Sequence, residues 1–260
     1  LLFFIYINDL ASVCKDLFTI MYADDSNLFN HGPCLKELEL RINRELQKVS
    51  DCLKLNKLSL NIDKTHFIIF KRPRKIIDYE PCLYIDSIPI SRVKETQFLG
   101  EFIDEHLTWH RHVTYISSKI AKGICIVHKT RKFRNKQTLH QLYYTFIYPY
   151  LSYCNHVWGN THSTQLSRLV LLQKRAIRMI TFSSYRAHTS MLFKEFKILK
   201  CHEIYIYKIG QFIYKYKENM LPPIFSHMFI VNSDIHQHNT RSSHKFLTAR
   251  FATDLGKRAM

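Results

Sequence analysis

The sequence lacks the features that mark several classes of protein. Six glycines among 260 residues are too few for a collagen-like or glycine-rich low-complexity chain. With 46% hydrophobic and 13% aromatic residues, the chain is too apolar to be disordered. The best candidate for a membrane span, residues 137–167, is interrupted by a proline, histidines and asparagines. We therefore expect a folded protein of one large or two small domains, with no membrane partner.

Paired cysteine motifs are also absent. The seven cysteines are odd in number and widely spaced, and no C-x-x-C pair occurs, which favours reduced thiols over a disulfide framework or a zinc knuckle. The apolar residues 1–7 follow no basic segment and precede no cleavage signal, so they do not form a signal peptide. We expect an intracellular protein, in the cytoplasm, the nucleus or both, that is not secreted. Because the chain begins without a methionine, we also interpret it as a fragment.

Carboxylates are missing from the stretch between Glu105 and Glu195, which contains 14 lysines and arginines. The whole chain carries a formal net charge of +17, whereas residues 1–66 are nearly neutral, with 8 basic and 9 acidic side chains. A long stretch of one sign repels itself unless a polyanion neutralises it. We favour a nucleic acid over an anionic membrane surface or a bias in composition. The basic residues that we assign to nucleic-acid binding are Lys119, Lys122, Lys129, Arg131, Lys132, Arg134, Lys136, Lys174, Arg175 and Arg178.

Hydrophobic periodicity divides the chain into an α/β part and a helical part. Apolar runs at residues 17–22 and 26–29 flank an Ala-Asp-Asp sequence, which is typical of a β-hairpin. After Pro33, apolar residues recur at helical spacing as far as Leu53, which predicts one long helix. Further β-like segments are expected at residues 66–70, 83–90 and 96–103. Helices are expected at residues 111–130, 137–154, 164–182 and 202–219.

The adjacent carboxylates Asp24 and Asp25 have two interpretations. Aspartate is a common turn former that hydrogen-bonds its own backbone, so the pair can simply close the hairpin. Alternatively, two carboxylates at a tight turn concentrate the hard oxygen ligands that Mg²⁺ prefers, and their mutual repulsion favours a bound cation. The two residues alone leave both interpretations open.

A series of short motifs runs along nearly the whole chain in a fixed order. They are Tyr6-Ile7-Asn8-Asp9, Tyr22-Ala23-Asp24-Asp25, Asn61-Ile62-Asp63-Lys64, Phe98-Leu99-Gly100, Leu107-Thr108-Trp109, Tyr148-Pro149-Tyr150-Leu151, Val157-Trp158-Gly159, Leu172-Gln173-Lys174-Arg175 and Leu221-Pro222. Each motif is weak by itself, but their order and spacing resemble the reverse transcriptases of non-LTR (LINE-type) retrotransposons, most closely the jockey-like kind. The resemblance implies an α+β fold, in which part of a polymerase palm, with helices and a Tyr-Ala-Asp-Asp hairpin, is followed by a basic all-helical region.

The resemblance implies a catalytic role for residues of the hairpin. In this family, the aspartates at the positions of Asp24 and Asp25 bind catalytic Mg²⁺, and Asp24 is the better ligand candidate. Tyr22 and Ala23 match positions beside the primer terminus, although Tyr22 also suits a packing role in a strand. Lys64 matches a lysine proposed to protonate the leaving pyrophosphate. The implied partners are an RNA template, a DNA primer and a dNTP; the oligomeric state stays unknown.

A second hairpin is implied to grip the primer strand. Phe98, Leu99 and Gly100 match this hairpin, but Glu101 replaces the small apolar residue that is usual there. A carboxylate facing a phosphate backbone is unfavourable, so we expect either that Glu101 points to solvent or that this copy has decayed. Three histidines at 106, 110 and 112 also have spacing that could seed a metal site, but without cysteine or carboxylate partners we set that aside.

The resemblance assigns residues 1–104 to the C-terminal part of the palm, residues 105–231 to a basic thumb and connection region, and residues 232–260 to a poorly periodic tail. The family's other metal-binding aspartate lies in an upstream block that these 260 residues do not contain. We therefore expect that the 260-residue chain alone does not extend a primer, because two-metal catalysis needs carboxylates from separate strands. The alternative to a polymerase is a catalytically inactive, nucleic-acid-binding remnant of a transposon.

Overall fold

The computed structural model describes residues 2–235 and 241–247, without the side chains of residues 2–4. It divides into two compact units, and the division passes through the turn of a hairpin. The first unit contains Leu1–Phe98 and Ile103–Leu107, and the second contains Leu99–Phe102 and Thr108–Met260. Helices and strands occur together in the first unit, which confirms the predicted α+β class.

The first unit combines short strands with one long helix. Its helices are α1 (Leu2–Ile7), α2 (Leu10–Val13) and α3 (Leu35–Leu55), and its strands are β1 (Phe18–Tyr22), β2 (Asp25–Phe29), β3 (His66–Phe67), β4 (Leu83–Ile85), β5 (Ile88–Arg92) and β6 (Glu95–Phe98). Strand β7 (Glu101–Asp104) pairs with β6. Strands β1 and β2 form an antiparallel hairpin, and β5 lies between β3, which is parallel to it, and β4, which is antiparallel.

Helix α3 organises the first unit because its apolar stripe contributes to two small cores. Val49 and Leu53 are buried in a cluster that also receives Met21 and Leu28 from the β1–β2 hairpin. One turn away, Leu46 is buried against strands β4 and β5. The predicted helix and hairpin are thus confirmed, and the hairpin packs beside the helix through alternate residues of its strands.

A buried carboxylate on α3 holds the chain that leads into β1. The side chain of Glu45 is fully buried and accepts a hydrogen bond from Lys48 Nζ at 2.5 Å. This hydrogen bond is the main cause that holds the pKa of Glu45 below its ordinary value, and the nearby backbone of Lys15 and Asp16 lowers the pKa further. Glu45 therefore lies beside the loop just before the β1–β2 hairpin, at some distance along the chain from the hairpin turn.

The second unit is helical. Its helices are α4 (His110–Thr130), α5 (Lys136–Phe146), α6 (Tyr148–Ser152), α7 (Asn155–Trp158), α8 (Ser163–Ile180), α9 (Thr189–Glu195) and α10 (Cys201–Lys217). Helices α4 and α8 pack against each other, and their buried faces form one core with side chains such as Ile120, Ile124 and Ile177, which are 2% exposed or less. The core also encloses Trp158 and Tyr143.

The prediction of one continuous helix at residues 137–154 is wrong. The helix is interrupted after Phe146, and a new helix begins at Tyr148 with Pro149 in its first turn. Proline has no backbone N–H and cannot continue the hydrogen-bond ladder of the preceding helix, but it fits the first turn of a new one. Helices α7 and α9 were not expected, because 4 and 7 residues are too short to show a helical period.

Two further differences concern strands and the C-terminal segment. The β-like segment expected at residues 83–90 is a hairpin, since Asp86 and Ser87 have φ values of +51° and +63° and reverse the chain between β4 and β5. In the predicted tail, Phe246 forms an isolated antiparallel bridge with Val231, the residue just before the tail. The remainder of the tail, residues 236–240 and 248–260, lies outside the described residues.

Candidate functional site

The β1–β2 hairpin presents the two aspartates at a tight turn. Its strands pair from Phe18 with Phe29 to Tyr22 with Asp25, so Ala23 and Asp24 form a two-residue connection. Ala23 has a φ of +54°, in the left-handed region, which costs a residue other than glycine about 1–2 kcal/mol. The predicted hairpin is confirmed, with the refinement that Asp24 lies in the turn whereas Asp25 is the first residue of β2.

Both carboxylates at this turn are accessible. Asp24 and Asp25 are exposed, and within the described part of the chain neither side chain has a hydrogen-bond or ion-pair partner. Tyr22 lies directly opposite Asp25, so the two side chains project from the same face of the hairpin. The opposite face carries Met21 and Leu28 and packs on α3. One face of the hairpin is thus packed against the core. Tyr22, which is 62% exposed, lies on the open face beside the carboxylate of Asp25.

Lys64 is exposed at the end of a single 3₁₀ turn, Ile62–Lys64. Asn61 begins this turn, and its side-chain oxygen accepts a hydrogen bond from the Lys64 N–H at 3.2 Å. His66 then bridges the Lys64 carbonyl oxygen, at 3.0 Å, and the hydroxyl of Thr96 on β6, at 2.5 Å. Within residues 2–235, no hydrogen bond or ion pair joins Lys64 to the aspartates, so its catalytic role stays a prediction.

The turn between β6 and β7 needs two left-handed residues, Leu99 (φ +48°) and Gly100 (φ +89°). The hydroxyl of Tyr153 donates to the Leu99 carbonyl oxygen at 2.8 Å, and a side chain at Gly100 would meet the same tyrosine ring at 3.8 Å. Phe98 precedes the turn at the end of β6 and is half-buried. The primer-gripping role of these three residues stays a prediction.

Glu101 does not point to solvent, so that part of the sequence-based expectation is wrong. The residue is 6% exposed, and its Oε2 lies 2.8 Å from Nε2 of His112, which is 2% exposed. The Phe102 N–H points at Nδ1 of the same imidazole, at 3.5 Å. Sequence reasoning missed this pair because it grouped His112 with two neighbouring histidines as metal ligands and treated Glu101 as a residue that faces nucleic acid. The sequence did contain a signal for this pair: Glu101 is a carboxylate at a position where an apolar residue is usual, and it shortly precedes the histidines at the start of α4.

The ten basic residues assigned to nucleic-acid binding lie on three helices and one turn. Lys119, Lys122 and Lys129 are on α4, Lys136 begins α5, and Arg131, Lys132 and Arg134 are in the turn between these helices; Lys174, Arg175 and Arg178 are on α8. Within the described residues, none of them forms an ion pair with a carboxylate. The positive charge of these ten residues is therefore not compensated by carboxylates of the described residues.

Three of these arginines meet at one cavity. Arg131, Arg175 and Arg178 line a space of about 390 Å³ together with Met179, Ser183 and Tyr185. Tyr185 was not singled out from the sequence, because a lone tyrosine in a polar loop carries no pattern. The other basic residues are dispersed; for example, Lys119 Nζ lies 5.3 Å from the centre of the Tyr115 ring on its own helix.

The sequence also raised a membrane span, a histidine metal site and the state of the cysteines. No helix in the described part of the chain is long and apolar enough to span a membrane. Among the described residues, no group of three or more histidine, cysteine, aspartate or glutamate side chains is arranged to hold a metal ion. All seven cysteines are free thiols, and burial raises the pKa of the Cys201 thiol to about 11.

Comparison with known proteins finds relatives among polymerases of mobile elements. The chain is 21% identical over 180 residues to the probable RNA-directed DNA polymerase from transposon X-element of Drosophila melanogaster. The matched residues cover 68% of this chain and 20% of that protein. It is 24% identical over 202 residues to the RNA-directed DNA polymerase from mobile element jockey of Drosophila funebris, covering 76% and 21%. The chain thus spans about a fifth of the length of these curated relatives. No family model and no solved structure matches. The resemblance to jockey-like reverse transcriptases is confirmed by these relatives.

Proposed function

We propose that this chain is part of an RNA-directed DNA polymerase of a non-LTR retrotransposon, to which it contributes a metal-binding hairpin and a basic nucleic-acid-binding unit. The observation that carries the proposal is the Asp24–Asp25 turn. Its two carboxylates are exposed and unpaired among the described residues, at the end of a hairpin that packs against a core shared with α3, in a chain whose curated relatives are RNA-directed DNA polymerases.

The residues at the turn fit a magnesium ion. Mg²⁺ is usually held by one or two carboxylates, with waters and substrate phosphates completing its octahedron. Asp24 and Asp25 offer that many carboxylates, and neither is engaged by another side chain of the described residues. In this arrangement Asp24 is the ligand and Asp25 either ligates or adds to the negative field. When bound, the ion would neutralise charge that develops on the transferred phosphoryl group.

The neighbouring residues of the first unit serve to position the primer and the nucleotide. Tyr22 projects beside Asp25 from the open face of the hairpin, where its ring can pack against the primer terminus or the incoming dNTP. Lys64 presents an exposed ammonium group from a loop that His66 ties to β6, and in our proposal it donates a proton to the leaving pyrophosphate.

The second unit holds the RNA template and the DNA primer through their phosphates. The lysines and arginines assigned to this role lie on α4, on α8, in the turn after α4 and at the start of α5, and the sequence has no carboxylate between Glu105 and Glu195. Such contacts release condensed counterions and depend little on base sequence. The same basic surface supports the alternative function, a protein that binds nucleic acid without catalysis.

The proposal is tested by Mn²⁺ binding, because Mn²⁺ replaces Mg²⁺ at carboxylate sites and its paramagnetism reports binding through water proton relaxation. We expect the 260-residue chain to bind Mn²⁺ in the presence of a primer–template duplex. Asp24→Asn with Asp25→Asn should weaken binding at least tenfold. The control variant, Asp16→Asn with Asp78→Asn, changes two exposed carboxylates elsewhere in the first unit and should have no effect.

An equal loss in both variants would contradict the metal site. A chain that binds the duplex but no Mn²⁺ would favour the alternative, a nucleic-acid-binding protein without catalysis. Primer extension above background, abolished by Asp24→Ala, would instead show that the 260 residues contain a complete active site, against the expectation from the sequence.

A further inference from the structure

The cavity between α4 and α8 has the composition of an anion site. Arg131 follows the end of α4, Arg175 and Arg178 lie on the last turns of α8, and Ser183 and Tyr185 come from the segment after α8. A volume of about 390 Å³ is within the usual range of ligand pockets in proteins, about 300–1,000 Å³. The cavity therefore has room for a substituted phosphate group.

The charge of the cavity has no internal partner. Within the described residues, none of the three guanidinium groups forms an ion pair, and three like charges in one small space repel each other. Arg178 Nε donates to the Ala187 carbonyl oxygen at 2.9 Å, which fixes the plane of its guanidinium group while its terminal N–H groups stay available. A phosphate would relieve the repulsion and accept paired hydrogen bonds from such planar donors.

Phe182, a residue with a disfavoured backbone conformation, lies beside Arg131. Helix α8 ends in a Schellman motif, in which the Phe182 N–H donates to Met179 and the Ser183 N–H donates to Arg178. Glycine is preferred at the left-handed position of this motif, but here it is Phe182, with a φ of +60°. Its ring lies 4.7 Å from the guanidinium carbon of Arg131. A disfavoured conformation is thus kept where an aromatic ring can hold an arginine by a cation–π contact.

An exposed aromatic ring completes the cavity. Tyr185 lines it and is 84% exposed, so its ring has a face free for stacking. Exposed aromatics beside cationic groups bind single-stranded nucleic acids, whose bases are available for stacking, whereas the faces of bases in a duplex are covered by their neighbours. We propose that this cavity binds a backbone phosphate of single-stranded nucleic acid through Arg131, Arg175 and Arg178, while an adjacent base stacks on Tyr185.

This inference deepens the proposed function, because it rests on the nucleic-acid binding assigned there to the second unit. It adds that the unit has a specific subsite for an unpaired segment of template or product, in addition to the dispersed contacts that a duplex makes. An acidic polypeptide could also neutralise the arginines, but it would leave the exposed ring of Tyr185 without a function.

The charge contribution is tested by fluorescence anisotropy of the 260-residue chain with labelled oligouridylate. Replacing two cationic side chains of the cavity, in Arg131→Gln with Arg175→Gln, should weaken binding about thirtyfold, since each loses a charge-assisted hydrogen bond. The slope of log K against log salt should fall by about 1.4, as expected for two lost contacts on a single strand. The charge-matched control, Lys194→Gln with Lys215→Gln, changes two exposed lysines away from the cavity and should change neither quantity appreciably.

The aromatic contribution is tested by two further variants. Tyr185→Leu keeps an apolar side chain but removes the stacking ring, and should weaken oligouridylate binding about tenfold while leaving a duplex of the same length unaffected. Phe182→Gly places the preferred residue at the left-handed position, so it should raise the melting temperature of the second unit and still weaken binding several-fold. If Phe182 has only a structural role, the Phe182→Gly variant should be more stable and bind oligouridylate as tightly as the wild-type chain. That result would contradict the role assigned to the Phe182 ring.

The outcomes separate this inference from the proposed function. If the wild-type chain binds a primer–template duplex, but the cavity variants and the lysine control lose equal affinity for oligouridylate, the cavity site is overturned and the proposed function stands. Equal competition by oligouridylate and by polyglutamate of the same charge also overturns it, because stacking then contributes nothing. If the wild-type chain binds neither nucleic acid, both proposals fail.

Discussion

The two units place their charged side chains in opposite ways. In the first unit the accessible groups of the candidate site are carboxylates, Asp24 and Asp25, whereas the carboxylate of Glu45 is buried and paired with Lys48. In the second unit the accessible groups are cations, and its buried carboxylate, Glu101, is paired with a histidine. In both units a buried carboxylate has its partner inside the same unit, while the exposed carboxylates of the hairpin and the exposed cations of the basic stretch are left for a ligand to neutralise.

The strongest test of this contrast removes the partner of the buried carboxylate in the second unit. His112→Ala should destabilise the second unit by about 3–5 kcal/mol, because it leaves Glu101 buried without compensation. The free energy of unfolding can be measured by urea titration with Trp158 fluorescence, since this tryptophan is in the core of that unit and its ring lies 5.4 Å from the imidazole.

The control for this prediction is a double-mutant cycle with Glu101→Leu. The double variant should be more stable than His112→Ala alone, as removal of both polar groups leaves no buried charge. Additive losses from the two single variants would show that the pair does not compensate the carboxylate.

The second prediction concerns the exposed cations. If about five phosphate contacts form, a fourfold increase in salt should weaken binding of single-stranded RNA by the chain on the order of a hundredfold. The reversal Arg131→Glu, Lys132→Glu and Arg134→Glu should lower both the affinity and the salt slope, with little dependence on base sequence. Anisotropy titrations at several salt concentrations give both quantities.

A triple charge reversal in the first unit is the matched control for the reversal in the second unit. Lys15→Glu, Arg41→Glu and Arg44→Glu change the net charge equally, at three exposed residues of the first unit. This variant should keep most of the salt slope. A flat salt response of the wild-type chain, or equal losses in the two triple variants, would mean that the basic stretch of the second unit is only a solvated surface.

The third prediction concerns the buried carboxylate of the first unit. Glu45→Ala should destabilise that unit by about 2 kcal/mol, because it removes the acceptor of the Lys48 hydrogen bond and the carboxylate beside the backbone of Lys15 and Asp16. Hydrogen exchange of β1 and α3 should accelerate, while that of α4 and α8 should not. Unchanged exchange in β1 would show that Glu45 does not anchor the strand.

Acid should have the same effect as this variant. Since the pKa of Glu45 is lowered in the folded state, its contribution is present above the ordinary value of 4.5 and is lost as the pH falls through the folded value. The wild-type first unit should therefore lose stability on acidification more steeply than the Glu45→Ala variant. Parallel pH profiles would contradict this assignment.

The sequence predicted those features that depend on neighbours along the chain. The β1–β2 hairpin and helices α3, α4, α8 and α10 follow from residues spaced two, three or four apart, and each is confirmed. The Glu101–His112 pair, the Arg131–Phe182 contact and the exposure of Tyr185 were not predicted. These features depend on which helix faces are brought together, and periodicity does not contain that information.

The smallest expected effect concerns the turn itself. Ala23→Gly should stabilise the first unit by about 0.5–1 kcal/mol, because glycine adopts the left-handed conformation without strain, although it loses more entropy on folding. The opposite sign is expected for Ala121→Gly in the middle of α4, where glycine costs about 1 kcal/mol relative to alanine. Thermal melts of the two variants measure both effects, and equal shifts in the same direction would contradict the strain assigned to Ala23.

The Glu101–His112 pair has a consequence for how this sequence diverges from its relatives. Neither residue can be replaced alone without leaving its buried partner uncompensated, so a change at one position creates selection for a change at the other. Across homologous sequences, a carboxylate at the position of Glu101 should occur together with a histidine at the position of His112. Homologues with a small apolar residue after the glycine of the β6–β7 turn should have an apolar residue in place of the histidine. We therefore expect the two positions to covary, although they belong to different motifs of the chain.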